Sequence, residues 1–167
     1  MELPKTYTDK NDTGCCAVPN VDEWDNKEVV FEDKRFIRMH TRSFLYMPLN
    51  MSKVMTEIQR TAEDAGAAMV PNEAMTLSRD VSPWKAEHLY AVTKEVGGAD
   101  NVVLSGTYIT KVFEGPFKNI RNWYNSLQTY VTSQGKIPGD TYFFYTTCPK
   151  CAKHYGKNYV IGMTSVA

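Results

Sequence analysis

The residues best suited to chemistry in this chain of 167 residues lie in the run Cys148-Pro149-Lys150-Cys151-Ala152-Lys153-His154. A C-x-x-C knuckle brings two thiolates to about 2.3 Å from one Zn²⁺, and a following histidine can add a third ligand. Cys15 or Cys16 would complete a tetrahedron if the residues before the domain fold back over it. Cys148, Cys151, His154, Cys15 and Cys16 are therefore the candidate ligands of a structural zinc site. The competing readings are a reduced pair of small thiols in a turn with His154 solvated, and a catalytic zinc that keeps one position open. A redox C-x-x-C is disfavoured, because such pairs sit at a helix N-terminus that lowers the thiol pKa. Here the run reads as a loop between two strands.

Carboxylates and aromatics form a second constellation. Glu114 ends an alternating strand and shares a face with Tyr108, Thr110 and Val112. If that face lines a pocket, desolvation beside aromatics raises the carboxyl pKa and suits Glu114 to general acid or base work. The competing reading is an exposed glutamate before a helix, where the macrodipole favours it. Trp84 follows a proline at a strand entrance, a place for a rigid aromatic wall. Trp84, Glu87, Tyr108, Trp123 and Tyr145 are the candidate ligand-binding residues. His88 reads more readily as a satisfied strand histidine than as a catalyst, and Trp123 also belongs to a helical core stripe.

The elements that must position these residues show an internal periodicity. Thr41 and Thr110, Phe44 and Phe113, Asn50 and Asn119, and Gly66 and Gly135 each stand 69 residues apart. The apolar positions Met51, Val54, Met55, Ile58, Thr61 and Ala62 fall at the same offset from Ile120, Trp123, Tyr124, Leu127, Tyr130 and Val131, a stripe at helical spacing. The spacing predicts two helices, with Asn50 and Asn119 as N-caps and the glycines at C′. Strands are expected at 35–45, 75–78, 85–94, 102–113, 142–145 and 159–166. The whole reads as a duplicated β-α-β-β repeat, an α+β fold with one antiparallel sheet and both helices on one face. Repeat one covers about 35–96 and repeat two about 101–167, behind an irregular N-terminal arm, 1–34.

Bulk properties exclude several classes. Lys and Arg number 19, as do Asp and Glu, so no global field draws nucleic acid or an anionic membrane. No apolar run approaches the roughly 20 residues that span a bilayer, and the opening Met1-Glu2-Leu3-Pro4-Lys5 lacks the core of a signal peptide. The expectation is a soluble cytoplasmic protein without nucleic-acid or membrane partners.

The paired strand–helix units ending at Gly66 and Gly135, with the turn Phe113-Glu114-Gly115-Pro116-Phe117, resemble the GyrI-like family (the SOUL and bacterial effector-binding-domain superfamily). The segment from Phe143 to Lys157, with Ser82-Pro83-Trp84-Lys85-Ala86-Glu87, is similar to a group of uncharacterised prokaryotic hydrolase-like proteins of that type. The resemblance implies a small-molecule pocket between the repeats, lined by aromatics, for an aromatic or polycyclic ligand. It also implies hydrolysis of that ligand with Glu114 as acid or base and Trp84 and Tyr145 positioning it. The alternatives are a non-catalytic sensor or scavenger and a zinc-dependent hydrolase. Fold alone does not choose among them.

Overall fold

A computed structural model of the chain describes residues 3–167, Pro149 by its backbone alone. In chain order the elements are α1 (Val21–Trp24), β1 (Lys27–Phe44), β2 (Met47–Pro48), α2 (Met51–Asp64), β3 (Thr76–Ser82), β4 (Lys85–Ala91), β5 (Asp100–Glu114), α3 (Ile120–Ser133), β6 (Pro138–Tyr145), α4 (Pro149–Tyr155) and β7 (Tyr159–Val166). This is an α+β fold with antiparallel strand pairing. Its residues divide into two compact units. One, the first-half unit, holds Glu32–Val70 and Ala74–Ser105; the other, the second-half unit, holds Met1–Phe31, Pro71–Glu73 and Gly106–Ala167. No helix among the described residues is long and apolar enough to cross a membrane.

In the first-half unit β1 pairs antiparallel with both β2 and β4, and β4 with β3. The alternation of β1 and β4 sends Ile37 and Tyr90 to one side, where Ile58, Ala62, Ala67, Val92 and Val96 form a core with them. The stripe of α2 explains its seat: Val54, Ile58 and Ala62, one turn apart, are its buried residues. Its expected cap is different. Asn50 makes no side-chain cap bond, and its Oδ1 instead accepts from the Arg42 N–H at 2.8 Å, tying the helix entrance to β1. Gly66 ends the helix in the left-handed conformation, as the sequence predicts.

In the second-half unit β7 lies between β5 and β6. The buried residues of α3 are Trp123, Leu127 and Val131, each 69 positions beyond its α2 counterpart. They meet Ile109, Phe113, Phe143 and Val160. Asn119 makes no side-chain cap bond either; a 3-10 turn, Phe117–Asn119, leads into the helix. The opposite side of these strands is covered by the arm and by the first residues of β1. Tyr7 sets its ring edge-on to Phe144 and donates its hydroxyl to the Thr146 carbonyl at 2.6 Å, Phe31 packs on Tyr108 at 4.7 Å, and Thr110 donates to the Trp24 carbonyl.

Three boundaries differ from the sequence reading. The first strand begins at Lys27, so the arm is shorter than 1–34 and carries a one-turn helix. β5 extends from Asp100 to Glu114, beyond the expected 102–113. The loop expected at 148–157 is largely helix, because Pro149 presets φ at the first helical position and Gly156 (φ 71°) closes the last turn.

Gly162 on β7 fixes how closely α3 can lie on the strands. A Cβ there would stand 3.1 Å from Leu127 Cδ2, 3.1 Å from Phe113 Cε2 and 3.2 Å from Phe143 Cε1. Two of these are ring atoms with little freedom to retreat. Gly162→Ala is expected to destabilise the fold by about 1–3 kcal/mol through overpacking, seen as a lower denaturation midpoint in urea; an unchanged midpoint would show that the helix can lift at no cost.

Candidate functional site

The four cysteines converge within the second-half unit. The Sγ atoms of Cys15, Cys16, Cys148 and Cys151 all lie within 4.8 Å of one another, with Cys15 and Cys16 3.7 Å apart, and all four are free thiols. Two elements bring them together. Cys148 stands at the entrance of α4 and Cys151 one turn inside it, fully buried. The other two ride on the arm, whose segments pair where the Thr8 N–H donates to the Val18 carbonyl and the Val18 N–H to the Lys10 carbonyl. Thr13 shapes its tip: the Thr13 hydroxyl oxygen accepts from the N–H groups of Cys15 and Cys16 at 3.3 Å each, and lies 3.1 Å from Cys151 Sγ. That contact with Thr13 pulls the Cys151 thiol down to about 6, while burial pushes Cys16 up to about 12. Tyr155 on α4 anchors the tip, donating its hydroxyl to the Cys16 carbonyl at 2.8 Å and accepting from the Asp12 N–H. His154 takes no part in this group. It is half-exposed, with Nε2 3.7 Å from an Asp12 carboxylate oxygen. The helix also reverses one sequence argument, since the C-x-x-C pair does stand at a helix N-terminus.

Glu114 does not become the desolvated acid that alternation suggested. It lies at the very end of β5, where the strand's cover stops; its side chain is 47% exposed, with Lys157 Nζ 3.6 Å away. Farther along the same face Tyr108 and Thr110 are buried, while Val112 next to Glu114 on that face is half-buried. Tyr108 lies against Phe31, and Thr110 is bonded to main chain. Trp123 is core, stacked on Phe113 at 5.7 Å and 18°. Tyr145 packs at the margin of that core and touches the half-exposed Phe117.

In the first-half unit the buried carboxylate is Glu87, which is only 4% exposed. Arg79 Nε donates to it at 2.7 Å and an Arg38 nitrogen stands 3.7 Å away. Register explains the arrangement, since Arg79 faces Glu87 directly across β3 and β4. With its oxygens engaged by two guanidiniums, Glu87 is an ion-pair acceptor rather than an open ligand site. Trp84 is 55% exposed on the turn between β3 and β4. The hairpin tip joining β1 and β2 holds that turn: the Ser43 N–H donates to the Trp84 carbonyl and the Tyr46 N–H to the Pro83 carbonyl, while Phe44 meets the indole at 5.7 Å. Leu45 and Tyr46 both sit at positive φ (48° and 71°) in this tip, a strained choice for bulky residues. An open hollow of about 780 Å³ along the outer side of α2, lined by Leu49, Met51, Thr56 and Arg60 among others, includes none of the predicted ligand-binding residues.

Sequence reasoning passed over a hydroxyl–imidazole chain in this unit. Buried His88 bonds Ser78 Oγ through Nδ1 at 2.7 Å and Thr41 Oγ1 through Nε2 at 2.9 Å. Ser78 stands opposite His88 in the β3–β4 register, and the signal available was the pairing of hydroxyl residues around one strand histidine. Burial, and then the charge of His40, lowers the His88 pKa to about 4, so the ring is a neutral structural link and a weak base.

Comparison with known proteins gives a family and a fold. The sequence pattern of a family described as bacterial hydrolase matches residues 6–166. The crystal structure of the EcmrR C-terminal domain is similar over 86% of this chain and 98% of that one, with a TM-score of 0.65 and 16% identity. An uncharacterized conserved protein from Listeria innocua matches over 86% and 94%, with a TM-score of 0.61 and 10% identity. A hydrolase from Listeria innocua matches over 86% and 92%, with a TM-score of 0.60 and 8% identity. No curated protein matches the chain. At these identities the structures share the fold alone.

The His88 chain makes stability depend on pH. The folded value of about 4 lies below the unfolded 6.5, so between those values the unfolded state takes up a proton that the folded state refuses. Stability is fully present above pH 6.5 and falls as pH drops toward 4, by up to about 3 kcal/mol from this group. His88→Gln should flatten that slope in urea melts taken across the window; an unaltered slope would assign the proton uptake to another group.

Proposed function

The chain belongs to the bacterial hydrolase family, and from that premise we propose that it binds a small planar aromatic or polycyclic compound and hydrolyses it. The observation that carries the reading is Trp84. Of the three tryptophans, Trp24 and Trp123 are 0% and 6% exposed, whereas Trp84 is 55% exposed. Its backbone is fixed by the hairpin tip and its ring is braced by Phe44. An ordered indole loses little further freedom when a flat ligand stacks on it, and stacking recovers burial that solvent exposure forfeits. Phe44, in contact with the indole, and its exposed chain neighbours Tyr46 and Met47 extend an apolar surface in the same unit.

Hydrolysis requires a group that activates water. Among the two candidate carboxylates, Glu87 is held by two arginines and serves as a positioning anchor. Glu114 is accessible and is the proposed general acid or base. A second reading, binding without turnover as a sensor or scavenger, is favoured by the exposure of Glu114, which stands in solvent beside Lys157. The GyrI-like resemblance supports a ligand-binding role in either case. The matched spacing of the buried positions of α2 and α3 supports descent of both units from one β-α-β-β ancestor.

Tryptophan fluorescence tests the binding step selectively, because only the exposed indole is open to quenching by a stacked ligand. A panel of tricyclic aromatic compounds is expected to yield a saturable quench, and Trp84→Ala to weaken calorimetric affinity about tenfold. Chromatography then follows the bound compounds for hydrolysis products. Turnover lost in Glu114→Gln with binding retained supports the acid–base role; binding without turnover across the panel selects the sensor. Affinity indifferent to Trp84→Ala would sink the site.

A further inference from the structure

We propose that Cys15, Cys16, Cys148 and Cys151 hold one zinc ion in a closed tetrathiolate centre that clasps the N-terminal arm to α4. The inference stands apart from the small-molecule reading and uses only the second-half unit. Four thiolates around Zn²⁺ at about 2.3 Å require sulfur–sulfur separations of about 3.8 Å. The Cys15–Cys16 pair stands at 3.7 Å and every other pair within 4.8 Å, so only small side-chain adjustments separate the cluster from a coordination tetrahedron. These distances exceed the roughly 2.05 Å of a disulfide. An all-sulfur donor set selects zinc over hard cations such as Mg²⁺ or Ca²⁺, which need oxygen ligands.

The surroundings also fit a metal centre. Cys148 and Cys151 form a knuckle on a helical turn, a spacing that presents both sulfurs to one side. The Thr13 hydroxyl beside Cys151 Sγ and its bonds from the Cys15 and Cys16 N–H groups fix the other pair, in the manner of outer groups that orient ligands. Burial grades from Cys151, fully enclosed, to Cys15, exposed, which leaves an entry path from solvent. Four protein ligands leave no position for a water, so the centre is structural and supplies no metal-bound nucleophile. What it does is mechanical: it joins residues 15 and 16 to residues 148 and 151, and so holds the arm on the side of the strands that carries Tyr108, Thr110 and Phe144.

The test is metal analysis of the full chain, purified under reducing conditions after expression in zinc-supplemented medium. About one zinc per chain is expected, and exchange with Co²⁺ should give the thiolate-to-cobalt charge-transfer absorption and visible bands of a tetrahedral tetrathiolate site. His154→Ala should keep that spectrum and Cys16→Ser should lose it. Removal of zinc by a chelator should open the arm to limited proteolysis before the remaining chain is cut. Because a cysteine variant can fail to fold, the wild-type chain decides independently. Folded protein with four titratable thiols, background zinc and no cobalt spectrum would overturn the centre. A cobalt spectrum that is lost in His154→Ala and retained in Cys15→Ser would overturn the ligand set.

Discussion

Strand β6 is aromatic on both faces, and much of the second-half unit answers to that constraint. Phe143 and Tyr145 point to one side, Tyr142 and Phe144 to the other, and a strand can be stable in water only if both rows are covered. Helix α3 covers the first row with Trp123, Leu127 and Val131. Among the described residues no second helix of comparable length belongs to this unit. The chain's own N-terminal residues cover that side of the strands: Tyr7 of the arm meets Phe144, Phe31 at the start of β1 meets Tyr108 on β5, and Trp24 is fully buried. That solution binds the arm by ring contacts and hydrogen bonds at several points, and it carries Cys15 and Cys16 to the neighbourhood of α4.

The same constraint explains which parts of the site were legible in the sequence. The stripes of α2 and α3 were readable because the period of a helix is local, and the buried residues are those the stripe names. The C-x-x-C run is legible as a pair of candidate ligands, and the expected approach of Cys15 and Cys16 to it is what the folded arm realises geometrically. The fates of Tyr108 and Glu114 were not readable. Alternation tells which face they share, but not that residues far away in sequence, from the arm and the start of β1, cover that face and stop short of its end. Tyr108 therefore became core and Glu114 remained in solvent. The asparagine caps failed for a related reason: Asn50 had a better partner in the Arg42 N–H, which no local rule reveals. At α4 the signals conflict: Pro149 and Gly156 are ordinary helix start and stop residues, whereas the cysteines between two strands suit a loop knuckle equally well.

In the first-half unit the contrast between Glu87 and Trp84 is one of satisfaction. A carboxylate taken out of water must be paired, and the β3–β4 register supplies Arg79 at the facing position. A large indole left in water carries no comparable penalty to force an internal partner, so its exposure persists even though backbone hydrogen bonds have already ordered its turn. The left-handed Leu45 and Tyr46 beside it show that the hairpin tip tolerates strain while keeping apolar side chains at the surface.

The docking of the arm also carries a consequence for the order of events during synthesis. Tyr7 bonds to Thr146, and Trp24 to Thr110, so residues made early find their partners only when much of the chain has been added. Until β5 leaves the ribosome, Trp24 and Phe31 have no strand to cover, and Tyr7 waits longer still, for Phe144 on β6 and Thr146 beyond it. Such closure is slow, because the entropy of a long loop must be lost before any contact compensates it. The unit should therefore pass through a stage in which a greasy leading segment waits for its sheet, and that interval, more than the finished fold, is where this protein would meet chaperones or aggregate.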